Sequence, residues 1–207
     1  MGTGDGDYQM SVWYRLTSGD LNHVATPLYA NKSSLGRDVA DHIAFGEGSI
    51  LDWPANVRYW AEDEAHDGEG EDFLLSIDRL PVVSERLKHG LERFGQTMHQ
   101  LLPVGVFHSD GRSAGQYFII NVLDVLVVLD LERSRYDRIE YKQNAKGETI
   151  PDISGLWKPV LRRNAADGHH LFRCAEYPLV LVASEEIKQV FDSLGVMGAT
   201  FTPLEAT

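Results

Sequence analysis

A stretch of this chain occurs twice, and the duplication limits the possible folds more than any other feature. Residues 80–104 align with residues 180–204 at a constant offset of 100, without a gap. Identities fall at Val82/Val182, Ser84/Ser184, Glu85/Glu185, Lys88/Lys188, Gly95/Gly195 and Pro103/Pro203. Chemically matched pairs add Leu87/Ile187, Leu91/Phe191, Glu92/Asp192, Phe94/Leu194 and Leu101/Phe201. Each copy reads as strand, helix, strand. Apolar residues run into Ser84 or Ser184, whose hydroxyl can accept from the orphan amides that open a helix. Glu85, Glu185 and Glu186 follow in the first turn, where the helix dipole favours negative charge. Leu87, Leu91 and Phe94, and in the second copy Ile187, Val190, Phe191 and Leu194, recur at helical spacing and make one apolar stripe. Gly95 and Gly195 are placed to stop the helices, because glycine enters the left-handed cap without strain. A short strand ending in Pro103 or Pro203 closes each unit.

Outside the copies the reading is coarser. Met10 to Leu16 alternates as an early strand, and residues 17–35, rich in Ser, Asn, Pro and Gly, read as loop. Asp38 to Phe45 suggests a short helix, Trp53-Pro54 a turn and Val57 to Trp60 a brief strand. Phe73 to Ile77, Leu101 to Phe107, and Tyr117 to Leu131 broken near Asn121–Asp124, supply further strands. Asn144-Ala-Lys-Gly147 signals a turn after Ile139–Lys142. Trp157 to Leu161 and His170 to Cys174 lead into the second copy. Short strands with two or three helices indicate α+β: mostly antiparallel sheet with a few packed helices and a duplicated strand–helix–strand unit. An arm over 1–72, packed on a main body over 73–207 that holds both copies, is the expected organisation.

Bulk properties narrow the function classes. The chain has 207 residues, 31 acids against 19 bases, a net charge of −12 and a single cysteine, Cys174. An internal disulfide is therefore excluded, and a reducing compartment is indicated. The small, acidic opening Met1-Gly-Thr-Gly-Asp-Gly-Asp argues against a secretory leader. The longest apolar run, Tyr117 to Leu131, is too short and too often interrupted by Asn and Asp to cross a bilayer. The cytoplasm is the expected location. Such acidity repels phosphate backbones and anionic membranes, so neither nucleic acid nor membrane is expected as a partner, whereas a basic protein would be steered in.

The motifs of catalysis are absent: no phosphate-binding glycine loop follows a strand, and neither Gly-x-Ser-x-Gly nor His-Glu-x-x-His occurs. Ser84 and Ser184, near His89 and His99, read as helix caps rather than nucleophiles. His169-His170 with Cys174 could be a soft metal site, but adjacent histidines on a strand face opposite ways, so a turn and a strand with a buried thiol is the plainer reading. Glu62, Asp63, Glu64, Asp67, Glu69, Glu71 and Asp72 form a seven-acid run with no Lys or Arg. It lacks the spacing of a calcium loop, which leaves a solvated loop or a surface that meets a basic partner. Trp13, Trp53, Trp60 and Trp157 suit core or rim packing, with binding hot spots as the alternative. No cofactor and no small-molecule substrate is expected.

Several of these segments together resemble the eleventh immunity-protein family of bacterial polymorphic toxin systems, first catalogued as a domain of unknown function. The matching stretches are Leu80-Pro-Val-Val-Ser-Glu-Arg-Leu-Lys88, Gln100-Leu-Leu-Pro-Val104, Gln116-Tyr-Phe-Ile-Ile-Asn121 and Leu129-Asp-Leu-Glu-Arg-Ser134, followed by Leu171-Phe-Arg173, Val182-Ala-Ser-Glu-Glu-Ile-Lys188 and Leu194-Gly-Val-Met-Gly-Ala-Thr-Phe201. They span roughly 57–204 and leave residues 1–56 unmatched. The resemblance implies an antidote that works by binding a cognate toxin, with no catalytic residues. A chaperone or assembly subunit for an effector is the alternative, and an unrecognised hydrolase a more distant one.

Overall fold

The computed structural model describes residues 12–18, 28–30, 46–54, 56–61, 72–75, 80–94, 99–108, 110–144 and 146–207. In chain order the elements are β1 (Trp13–Ser18), β2 (Leu28–Ala30), β3 (Arg58–Ala61), β4 (Phe73–Leu75), β5 (Pro81–Ser84), α1 (Glu85–Glu92), β6 (His99–Phe107), β7 (Ser113–Val122) and β8 (Val125–Leu126). There follow β9 (Arg135–Gln143), β10 (Thr149–Lys158), β11 (Val160–Leu161), α2 (Arg163–Ala166), β12 (Leu171–Cys174), β13 (Tyr177–Ser184), α3 (Glu185–Leu194), β14 (Ala199–Pro203) and β15 (Glu205–Ala206). Many strands, mainly antiparallel, with few helices make this an α+β fold.

Two sheets carry the body. One has six strands in the order β2-β3-β6-β7-β5-β4, the other five in the order β14-β1-β13-β12-β8. Pairing is mainly antiparallel, with parallel contacts at β3/β6, β12/β8 and β11/β15. The inner faces of both sheets and the two longer helices share one core, in which Leu87 and Leu91 of α1 meet Ile187, Val190 and Phe191 of α3. Each such side chain, fully buried, contributes about 1.5–3 kcal/mol. The outer faces have cores of their own. Val82, Val104 and Ile119 lie in that of the six-stranded sheet, and Trp13, Phe172 and Val182 in that of the five-stranded sheet.

The repeat is a true structural duplication. Strands β5 and β6 flank β7, and β13 and β14 flank β1; every one of these contacts is antiparallel. The registers coincide. Ser84 faces Tyr117 as Ser184 faces Trp13; Leu101 faces Ile120 as Phe201 faces Leu16; Pro103 faces Phe118 as Pro203 faces Tyr14. Both serines cap as expected, Ser84 Oγ accepting from Leu87 N at 3.2 Å and Ser184 Oγ from Ile187 N at 3.4 Å. Lys88 and Lys188 now have a reason to match: each lies over the aromatic ring of the middle strand, Phe118 at 5.0 Å and Tyr14 at 5.9 Å. Each also reaches the acid one turn on, Glu92 or Asp192.

Some expectations change. Gly195 is the left-handed cap (φ 59°) that the sequence suggests, but α1 ends at Glu92 with Arg93 still right-handed, and Gly95 lies outside the described residues. Strand β6 runs through Pro103 to Phe107. Proline is tolerated there because β3 pairs with β6 only from Gly105 onward, so the missing N–H falls on a side with no strand partner among the described residues. Residues 17–35 are not all loop: β1 continues to Ser18, and Leu28–Ala30 forms β2 against β3. The helix suggested over Asp38–Phe45 falls outside the described residues. The break near Asn121–Asp124 and the Asn144–Gly147 turn stand where the sequence placed them, between β7 and β8 and between β9 and β10.

Candidate partner-binding surface

Of the seven-acid run, Glu62, Asp63, Glu64, Asp67, Glu69 and Glu71 lie outside the described residues, and only Asp72 is described. Asp72 does not sit in a solvated loop. It is 4 % exposed and accepts from Ser84 Oγ at 2.6 Å and from Arg86 Nε at 3.1 Å, and its second oxygen pairs with Arg86 Nη2. Arg86 also donates to Leu194 O at 2.6 Å, placing positive charge at the C-terminal end of α3. Asp72 thus ties the start of α1 to the end of α3. Buried carboxylates persist when paired and hydrogen-bonded in this way. The sequence gives no local sign of it, because Arg86 lies on a different element.

The second copy has a counterpart, with His170 and Glu186 where the first has Asp72 and Arg86. His170 Nδ1 lies 3.0 Å from Ser184 Oγ and 3.5 Å from Glu186 Oε2. The Ser184 hydroxyl, then nearby His170, hold the Glu186 carboxyl below the usual carboxylate range. Serine, histidine and glutamate together invite comparison with a hydrolytic triad. A relay, however, uses both ring nitrogens, one toward the serine and one toward the acid. Here a single nitrogen serves both partners, and Ser184 is buried under its helix. Ser84 is engaged by Asp72, His89 by Glu92 at 2.9 Å, and buried His99 Nδ1 has no hydrogen-bond partner among the described residues. Burial lowers the pKa of His99. These serines act as caps.

Nor do His169, His170 and Cys174 converge. His169 Nδ1 meets Asp124 Oδ2 at 2.8 Å, His170 meets Ser184, and the Cys174 thiol is fully buried, its pKa pushed up by burial and by nearby Glu176. Among the described residues no group of three or more His, Cys, Asp and Glu side chains could hold a metal ion. Glu176, also fully buried, accepts from Leu129 N at 2.9 Å, and burial raises its carboxyl pKa. It braces the chain beneath β10 rather than facing solvent.

What the described surface offers is aromatic contact. Trp13 is buried in the core and Trp60 stacks on Phe107. Trp157 is 73 % exposed on β10 and Tyr141 69 % exposed on β9. Trp157 is held, not loose: its Nε1 donates to Asp137 Oδ1 at 2.8 Å across the hairpin. The ladder shifts register between Leu156 and Lys158, and Gly155 (φ 60°) leaves room for the Asp137 carboxylate, which a Cβ there would strike at 2.0 Å. Beside this hairpin lies a groove of about 690 Å³ lined by Val125, Val127, Lys142, Ile150, Pro178 and Leu179. Of the four tryptophans, Trp157 alone has the exposure of a binding anchor; an aromatic between Gly155 and Pro159 was the available signal.

The described residues thus supply caps, braces and contact surface, with no assembled catalytic group. Against known families, the model of the Immunity protein family (Imm11) matches residues 14–206. The chain belongs to this immunity-protein family. The match takes in β1 from Tyr14 and residues 14–56, which the motifs quoted above left out. No curated protein matches the chain. Among the described residues no helix is long and apolar enough to cross a membrane.

Proposed function

We propose that this Imm11 protein binds a cognate bacterial toxin in the cytoplasm and silences it by occupying its surface, without chemistry of its own. The family match over 14–206 carries the reading. The net charge of −12 supports a basic toxin surface as the target, since toxins that attack nucleic acid or anionic lipid need basic grooves. Glu62, Asp63, Glu64, Asp67, Glu69 and Glu71 are the proposed steering acids. Asp72, committed to Ser84 and Arg86, is withdrawn from that set.

The test is co-expression with the toxin encoded beside this gene. Growth should be rescued, and the two proteins should co-purify as an inactive complex. A complex that keeps toxin activity would replace inhibition with a chaperone role, and a toxin that kills unhindered would remove the reading. Changing the six steering acids to amides should slow association and flatten its salt dependence. Equal association rates at low and high salt for the unmodified protein would take these acids out of the interface.

A further inference from the structure

Strands β9 and β10 form a two-stranded sheet of their own, so one long edge of β9 has no strand beside it among the described residues. Which groups face that edge follows from one bond. Ile153 N donates to Glu176 O at 2.9 Å, so the backbone polar groups of Ile153 point away from β9. Ile139, opposite Ile153, is then in a non-hydrogen-bonded pair, and its own N–H and C=O point to the open side. By the two-residue period Asp137 and Tyr141 point the same way. Pro151 opposite Tyr141 agrees, since a proline fits where no N–H is needed toward the partner.

We propose that this edge pairs with the same edge of a second copy, antiparallel, on a twofold axis through Ile139, to give a continuous β10-β9-β9-β10 sheet. Charge decides the occupant. In that register Arg138 stands opposite Glu140 of the other copy, twice by symmetry, in the close non-hydrogen-bonded positions. Tyr136 stands opposite Lys142, Asp137 opposite Tyr141 and Arg135 opposite Gln143, with no like-charged pair along all nine residues. Arg138 and Glu140 are now exposed and, among the described residues, paired with each other at 3.2 Å, so the exchange is available to them. Charged side chains on an edge ordinarily ward off other strands. Here they ward off strands in general and fit their own copy. The competing registers with the same outward groups are worse: centring on Asp137, Arg138 or Glu140 sets that residue against its like-charged copy, and centring on Tyr141 pairs only residues 139–143. Self-complementarity of one patch is what a twofold interface requires.

Sedimentation velocity on the full chain alone tests this, with circular dichroism confirming that each variant is folded. The unmodified protein should dimerise reversibly. Arg138→Glu and Glu140→Arg should each weaken the dimer by about tenfold or more, since each sets like charges opposite one another. The double variant Arg138→Glu/Glu140→Arg should recover unmodified behaviour. Tyr141→Pro, which removes an outward N–H that the hairpin does not use, should also weaken it about tenfold. An unmodified protein that stays monomeric overturns the proposal, even if the charge variants lose affinity for a toxin, which would assign the edge to a partner's strand. Single variants that dimerise normally, or a double variant that does not recover, overturn it equally.

Discussion

In the first copy of the duplicated unit the strand between β5 and β6 is β7, which follows β6 across a short turn. In the second copy the strand between β13 and β14 is β1, which stands near the other end of the chain, with Trp13 opposite Ser184. The registers are the same, the capping serines are the same, and a lysine covers the middle strand's aromatic in both. A sheet position therefore asks for a pattern of side chains, not for a place in chain order. Chain order sets the entropy instead: closing a loop of this length rather than a hairpin turn adds about 3 kcal/mol, growing with the logarithm of length. The second copy has to recover that from β1's contacts. Trp13, buried to 2 % exposure, and Leu16 supply apolar burial, and Tyr14 bonds Glu185 in the first turn of α3, which pushes its phenol up to about 12.

The largest effect should come from breaking the non-local copy. Trp13→Ala is expected to cost about 3–5 kcal/mol in urea unfolding, as for other buried tryptophans. A loss below about 1 kcal/mol would mean that β1 is dispensable. Next comes the buried ion pair at the first serine cap. Asp72→Asn, which removes the charge from the buried carboxylate facing Arg86, should cost about 1–3 kcal/mol. The two helices meet asymmetrically, Gly90 facing its own equivalent, Val190, whose Cγ1 a Cβ at 90 would meet at 2.8 Å. Gly90→Val should then destabilise by about 1–3 kcal/mol from overpacking, and Val190→Ala in the same chain should relieve part of that. Additive effects would show the contact to be slack.

Smaller effects test the helix ends. Gly195→Ala should cost about 1–2 kcal/mol through its left-handed backbone, whereas Arg93→Ala, at the right-handed end of α1, should be near neutral. Equal costs would erase the difference between the two caps. Glu186→Gln should be the mildest, below about 0.5 kcal/mol, because that side chain is more than half exposed. Its depressed pKa means that Glu186 adds stability above the ordinary carboxylate pKa and loses it as pH falls through the folded value. Acid titration of the variant should show a shallower decline; an unchanged curve would leave the bond to Ser184 without thermodynamic weight.

The sequence reveals the parts of each copy that are local. Serine caps, apolar stripes and Gly195 act within one or two helical turns, so spacing alone exposes them. The middle strands do not show in the repeat, because β7 comes after its unit and β1 before, and no fixed offset aligns them. Asp72 reads differently for a related reason: among acids it looks solvated, and only folding brings Arg86 to it and the Leu194 carbonyl to Arg86. Trp157 was counted with three other tryptophans because exposure follows from the irregular ladder around Gly155, which composition does not encode.

The placement of β1 also bears on how the protein is made. A ribosome extends the chain at roughly 5–20 residues per second, N-terminus first. Among the described residues the six-stranded sheet holds no strand beyond β7, so all its strands are available by residue 122, while β13 and β14 follow only at residues 177–203. Throughout that interval β1 has been synthesised with neither neighbour, and the nascent chain must carry an unpaired strand, with the apolar Trp13 and Leu16 on it, until residues 177–203 are made.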